Sequence, residues 1–168
     1  PVASWGIYAA TGSPHLPAQP LEARLDRNPA ENTVEELVAR AERHLAANPQ
    51  DGRGWEVLAP IYHRIGRYED AAVAWRNAVR LLGATAAREV GLGQAVASAA
   101  GGVITDEARG AFERALTLEP GNLNARYLLA TALAQEGRRE EASVAFRAIL
   151  EGLPAASPWR GAIAQALA

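Results

Sequence analysis

Three histidines, His15, His44 and His63, are the side chains best suited to ligate a metal or move a proton near neutral pH. Their placement argues against both roles, because they stand 29 and 19 residues apart with no second ligand type grouped around them. Gly91, Leu92 and Gly93, with Val96, faintly resemble a dinucleotide-binding loop, but no strand precedes them. No G-x-S-x-G, H-E-x-x-H or P-loop pattern occurs, and the paired carboxylates Glu140 and Glu141 read as a solvated helix face. The expectation is a chain with no catalytic residue, no metal and no cofactor. An enzyme would require a further catalytic domain in a longer polypeptide.

Composition narrows the partners. The 168 residues are 49% hydrophobic and 21% charged, which suits one domain with a continuous core. A formal charge of −2 gives no basic face for nucleic acid. Cysteine is absent, so disulfides and thiolate metal sites are excluded, and all 17 basic residues are arginine, which reads as codon bias. The opening Val2 to Ala10 is apolar but far shorter than the roughly 20 residues a membrane helix needs. It reads either as the exit end of a removed transmembrane helix or as an ordinary flexible terminus.

The elements that position any site follow from a repeat. Pro49 and Gly83 are 34 residues apart, and so are Pro120 and Pro154. Ala71, Ala108 and Ala142, with the aromatics Trp75, Phe112 and Phe146, recur at 37 and then 34. Leu58, Leu92 and Leu129, with Ala59, Gly93 and Ala130, recur at 34 and then 37. The two series place a three-residue insertion in the turn Ala99 to Asp106 (AAGGVITD). Each unit reads as helix, glycine turn, helix. In the first, Asp51 caps a helix whose Trp55, Leu58, Ala59 and Tyr62 share one face, Gly66 stops it, and Tyr68 opens a second helix carrying Ala71, Trp75 and Ala78. Pro60 falls inside the first of these helices, where a kink is expected. Trp75→Ala should cost several times what a surface change costs.

These residues resemble the tetratricopeptide-repeat (TPR) signature in three copies over residues 51 to 154. The middle copy is weaker, with Glu89 where a large apolar residue is usual. The implied fold is all-α: a TPR helix-turn-helix superhelix with an N-terminal extended segment and a C-terminal capping helix. The expected boundaries are an extended, proline-rich segment at 1–32 following a removed membrane anchor and a TPR domain at 33–168. Within that domain the reading is a half repeat at 33–50, repeats at 51–83, 84–120 and 121–154, and a capping helix at 157–168. The half repeat is placed by Leu37, Ala41 and His44, which stand 34 residues before Ala71, Trp75 and Ala78.

In the TPR family the first helices line a concave groove. Carried over position by position, the resemblance implies Arg53, Glu56, Pro60, His63 and Arg64 in the first repeat, then Ala87, Val90, Gln94, Ala97 and Ser98 in the second. In the third it implies Asn124, Tyr127, Thr131, Ala134 and Gln135. This lining is small, apolar or amide-bearing, with charge gathered around Arg53, Glu56 and Arg64 and no cationic clamp across repeats. An amphipathic helix suits it, with apolar anchors and a charged end that sets direction. Tyr127→Ala and Arg64→Glu are expected to weaken peptide binding without unfolding the domain.

A GSPxLPxQPLxxR segment at Gly12 to Arg24, the helix-like stretch Glu35 to Ala59 and the AAGGVITDEARGAFERAL stretch Ala99 to Leu116 resemble the periplasmic part of the cytochrome c biogenesis protein of the CcmI (CycH) type. The resemblance implies a non-catalytic chaperone that holds apocytochrome c by its C-terminal helix and works with the other cytochrome c maturation subunits of the haem ligation complex. It implies no haem site, no nucleic acid, and a periplasmic domain of a bacterial inner-membrane protein, with membrane contact only through an anchor absent from this chain. The alternative is a TPR adaptor for another bacterial envelope assembly, such as nitrite reductase maturation.

Overall fold

Helix-stop glycines and helix-start caps cut the chain at regular intervals, and the structure, a computed structural model, follows those cuts. It describes residues 29–168, with side chains from Thr33 onward. The expected extended segment therefore lies outside the described residues as far as residue 28. The last four residues assigned to it are helical: α1 runs Pro29–Ala47. Proline opens a helix readily, since its missing N–H is one that the first turn leaves unbonded and its fixed φ suits the helix. After α1 come α2 (Gly52–Arg64), α3 (Tyr68–Leu82), α4 (Ala86–Ala99), α5 (Asp106–Leu118), α6 (Leu123–Gln135), α7 (Arg139–Glu151) and α8 (Trp159–Leu167). No strand occurs among the described residues.

Two units emerge from the contacts, Pro1–Ala39 and Arg40–Ala168, and α1 runs across that division. In the first unit Val38 is 5% exposed and Leu37 is 54% exposed. In the second, Leu45 is 2% exposed while His44 points outward, its Nε2 2.9 Å from Asp51 Oδ2. The buried stripe of α1 thus passes through Val38 and Leu45 rather than Leu37 and His44, one residue round from the register that the spacing suggested. Asp51 is held by this contact and also caps α2, accepting from the Gly54 N–H at 2.9 Å. That backbone bond, and then His44, hold the Asp51 carboxyl below the usual carboxylate range.

Within the second unit, α2 with α3, α4 with α5 and α6 with α7 form antiparallel pairs, each pair packing on the next. Small residues set the approach: Ala59, Ala71, Ala78, Ala108 and Ala130 are buried where the helices touch. Aromatics occupy the space left over. Tyr62 is buried and donates its hydroxyl to Glu42 at 2.8 Å, with the Arg67 guanidinium 4.5 Å from its ring centre. Burial, and then the Glu42 carboxylate, push that hydroxyl up to about 12, so it remains a donor at neutral pH. α2 continues as helix through Pro60, whose ring is exposed.

The middle pair differs from its neighbours. α4 is buried on most of its circumference, and its two glycines explain how. A Cβ on Gly91 would stand 2.5 Å from Trp75 Cε2 of α3, and a Cβ on Gly93 would stand 2.4 Å from Phe112 Cε1 of α5. The Gly-Leu-Gly run is therefore a pair of seats for rings from both flanking helices, not a nucleotide loop. Glu89, the departure from the repeat pattern, is 2% exposed and accepts from Arg114 Nη2 at 2.9 Å. That partner accounts for a carboxylate at a core position.

Between α4 and α5 the connection is six residues, 100–105, against three in the turns after α2 (65–67) and α6 (136–138). All three turns close alike, by backbone bonds from Arg67 to Tyr62, Gly102 to Ala97 and Arg138 to Leu133, each spanning five residues. Gly101 and Gly102 have φ of 68° and 92°, a conformation that disfavours any side chain. The insertion is Val103, Ile104 and Thr105, after which the Thr105 hydroxyl caps α5 through Ala108 N. At the far end, α8 covers the last pair with buried Ile163, and Arg160 donates to the carbonyl of Leu150 in the last turn of α7 and to that of Leu153 just after it.

Candidate functional site

The first helices of the three pairs, α2, α4 and α6, carry the residues expected to line a groove. Arg53, Pro60, Arg64, Ala87, Asn124, Ala134 and Gln135 are exposed. Glu56, His63, Gln94, Ser98, Tyr127 and Thr131 are half-buried. Val90 and Ala97 are 7% and 8% exposed, so they form floor rather than reachable anchors.

Hydrogen bonds reassign several of these residues. Glu56 accepts from Arg88 Nε at 2.8 Å, and Arg88 also donates to the Gly83 carbonyl at 3.0 Å, so this ion pair ties the start of α2 to the start of α4. His63 Nε2 lies 3.0 Å from Ser98 Oγ, tying the ends of the same two helices. Neither Arg53 nor Arg64 is ion-paired among the described residues. The mixed charge expected at this end is therefore cationic in effect, because Glu56 is already neutralised by Arg88.

Tyr127 belongs to an aromatic cluster, with ring centres 5.5 Å from Phe146 and 5.6 Å from Trp159. Tyr127→Ala would strip packing from the core under α8, so, against expectation, it should destabilise the fold. Arg64→Glu remains a clean surface change. Thr131 returns its hydroxyl to the Tyr127 carbonyl at 2.9 Å.

Gln135 staples the inserted turn: its Oε1 accepts from Ile104 N at 2.9 Å and its Nε2 donates to the Gly102 carbonyl at 2.9 Å. A six-residue turn needs outside partners for its backbone, and a side-chain amide at the end of α6 is the kind of residue that supplies them. Gln135→Ala should lower stability by about 1–2 kcal/mol. Hydrogen exchange should show the loss concentrated at the Ile104 amide. Glu56–Arg88 and His63–Ser98 carry no such signal in the sequence.

No group of three or more potential metal-ligating side chains occurs among the described residues. No described helix is long and apolar enough to cross a membrane.

The fold recurs in solved structures. MamA superposes with a TM-score of 0.67 at 20% identity, covering 84% of this chain and 79% of that one. YrrB, described as a TPR protein with an unusual peptide-binding site, gives 0.65 at 20% identity, covering 82% and 68%. At that identity the likeness establishes the TPR superhelix alone. Sequence establishes more, since residues 10–160 match the family model described as cytochrome c-type biogenesis protein H TPR domain. The chain belongs to that CycH TPR family. The CycH protein of Rhizobium meliloti (strain 1021) is 49% identical over 162 residues, 96% of this chain and 42% of the relative. That of Bradyrhizobium diazoefficiens is 42% identical over 170 residues, 99% and 46%. That of Pseudomonas aeruginosa is 28% identical over 163 residues, 97% and 39%. The chain thus spans under half the length of these CycH relatives. The family and these relatives are named for cytochrome c-type biogenesis.

Proposed function

We propose that this domain is a non-catalytic, periplasmic holder of apocytochrome c, gripping the cytochrome's C-terminal helix on the face formed by α2, α4 and α6 and passing it to other maturation subunits of the haem ligation complex. Membership of the cytochrome c-type biogenesis family supports the process. The observation that carries the mode of binding is the asymmetry of the face. Small and amide side chains, Ala87, Gln94 and Asn124, occupy the middle and far end, while unpaired Arg53 and Arg64 stand at the near end on α2.

A helix laid there gains from apolar burial along one face, and its negative C-terminal end, with the terminal carboxylate, is stabilised by the two guanidiniums. The direction follows: the bound helix ends at α2. Fluorescence anisotropy with a C-terminal helix peptide of a c-type cytochrome tests this. Arg53→Glu with Arg64→Glu should weaken binding by about tenfold or more, since each rim charge is worth of the order of 1 kcal/mol or less in water and the reversal doubles it. Amidating the peptide's terminus should weaken it in the same direction. Equal affinity for an unrelated amphipathic helix of the same charge would remove the cytochrome assignment and leave a general envelope adaptor.

A further inference from the structure

The α3/α4/α5 junction holds an open cleft of ≈590 Å³, outside the positions assigned to the α2/α4/α6 face, with Ala72, Val73, Val96 and Ala99 as its apolar lining and Glu69, Asp106 and Glu107 around it. Its origin is visible one repeat further on. Ala72 and Arg109 are 37 residues apart, as Ala71 and Ala108 are; Ala99 and Glu136 are also 37 apart, as Leu92 and Leu129 are. These two pairs are therefore equivalent positions in successive junctions. At the second junction Arg109 Nη2 bonds Glu136 Oε1 and bridges α5 to the end of α6. At the first, both positions are alanine and the space between them stays open.

The rim of that space is acidic. Arg76 is paired with Glu107 at 2.7 Å, which leaves Glu69 and Asp106 without an ion pair among the described residues. Val73, on the lining, is 46% exposed. The positive ends of α3 and α5 offset part of the carboxylate charge, so charge alone is a weak attractor and an apolar anchor is needed too. We propose that this cleft is a second protein-docking site, and that its occupant is a segment of a partner protein presenting an aliphatic side chain flanked by basic residues. The aliphatic group enters between Ala72 and Ala99, and the basic groups meet Glu69 and Asp106. This site is independent of the α2/α4/α6 face and stands or falls without it.

The test uses the whole chain and an acetylated, amidated helical peptide carrying two leucines one turn apart among arginines, with a control in which glutamates replace the arginines. Fluorescence anisotropy should detect the arginine peptide, with affinity falling as salt rises, and any binding of the control should be unaffected by Ala99→Phe. Ala99→Phe, at an exposed position, fills the cleft; Glu69→Arg reverses its rim; each should weaken binding by at least about tenfold. Ala72→Arg with Ala99→Glu copies the ion pair of the next junction and should do the same. Arg53→Glu and Arg64→Glu should leave this binding unchanged. No binding of the arginine peptide up to about 1 mM would overturn the proposal. So would wild-type affinity in Ala99→Phe with unchanged circular dichroism and melting temperature, or binding of the glutamate control that Ala99→Phe weakens equally. Self-association of the chain that Ala99→Phe abolishes would assign the cleft to a second copy and also overturn it.

Discussion

Replacing Phe112 by alanine should cost about 3–5 kcal/mol, the range for deleting a fully buried aromatic ring. The ring is 0% exposed, seated on Gly93 of α4 within the middle helix pair. Its loss leaves a void that α4 cannot fill, because the facing residue is a glycine with no side chain to move inward. Position in the stack makes the effect larger than the volume implies. In a repeat array each pair is held by its neighbours, so a weakened middle pair uncouples α2 and α3 from α6 and α7. Chemical denaturation of Phe112→Ala should therefore show a broadened or two-step transition. Phe146→Ala, at the equivalent place in the last pair, should fray one end and leave a single main transition. A sharp wild-type transition in Phe112→Ala would show that the stack is not coupled through this ring.

Gly93→Ala is the second large effect, and it runs against local propensity. Alanine in a helix is favoured over glycine by about 1 kcal/mol, yet the added carbon would stand 2.4 Å from one Phe112 ring atom and 2.7 Å from another. Those atoms belong to a buried side chain packed on every side, so relief requires α4 and α5 to separate. We expect a net loss of about 3 kcal/mol, at the upper end of overpacking costs. Gly161 is the internal control. It too is helical, in α8, but a Cβ there would meet nothing within 4 Å. Gly161→Ala should stabilise the domain by up to about 1 kcal/mol. Melting both variants under one condition separates close packing from propensity; a stabilised Gly93→Ala would mean that the helices tolerate a wider spacing than the structure has.

Much of this architecture was legible in the sequence because repetition reads a helix several times over. Three copies of the small-residue and aromatic spacing fixed the pairs, and the shift between 34 and 37 located the inserted turn. Where repetition stops, the reading weakens. α1 has apolar residues at Leu37, Val38, Ala41 and Leu45, which allow two stripes one residue apart, and spacing alone favoured the one that the fold leaves outside. The start of α1 is obscured for a related reason: Pro29 continues the proline-rich composition of the segment before it, although proline is at home in a first helical turn.

The positions proposed to line a groove follow from the repeat, but which of their side chains are free does not. Glu56 meets Arg88 at a separation of 32 residues and His63 meets Ser98 at 35. Such pairs form between one repeat and the next, and the repeat pattern constrains only what recurs within each. Gln135 and Tyr127 likewise serve the inserted turn and the capping helix, features that occur once. What remains for the proposed binding face is the set Arg53, Arg64, Ala87, Gln94 and Asn124.

Site-specific photo-crosslinking at these positions tests the central claim most directly. A benzophenone side chain at Arg53, Gln94 or Asn124, and in parallel at the exposed Leu118 and Val144 of the second helices α5 and α7, is exposed to a cytochrome C-terminal helix peptide and illuminated. The account predicts adducts at the first three positions, with the peptide's last residues captured at Arg53, and none at Leu118 or Val144. Adducts at Leu118 and Val144 without any at Gln94 and Asn124, or capture of the peptide's first residues at Arg53, would contradict it.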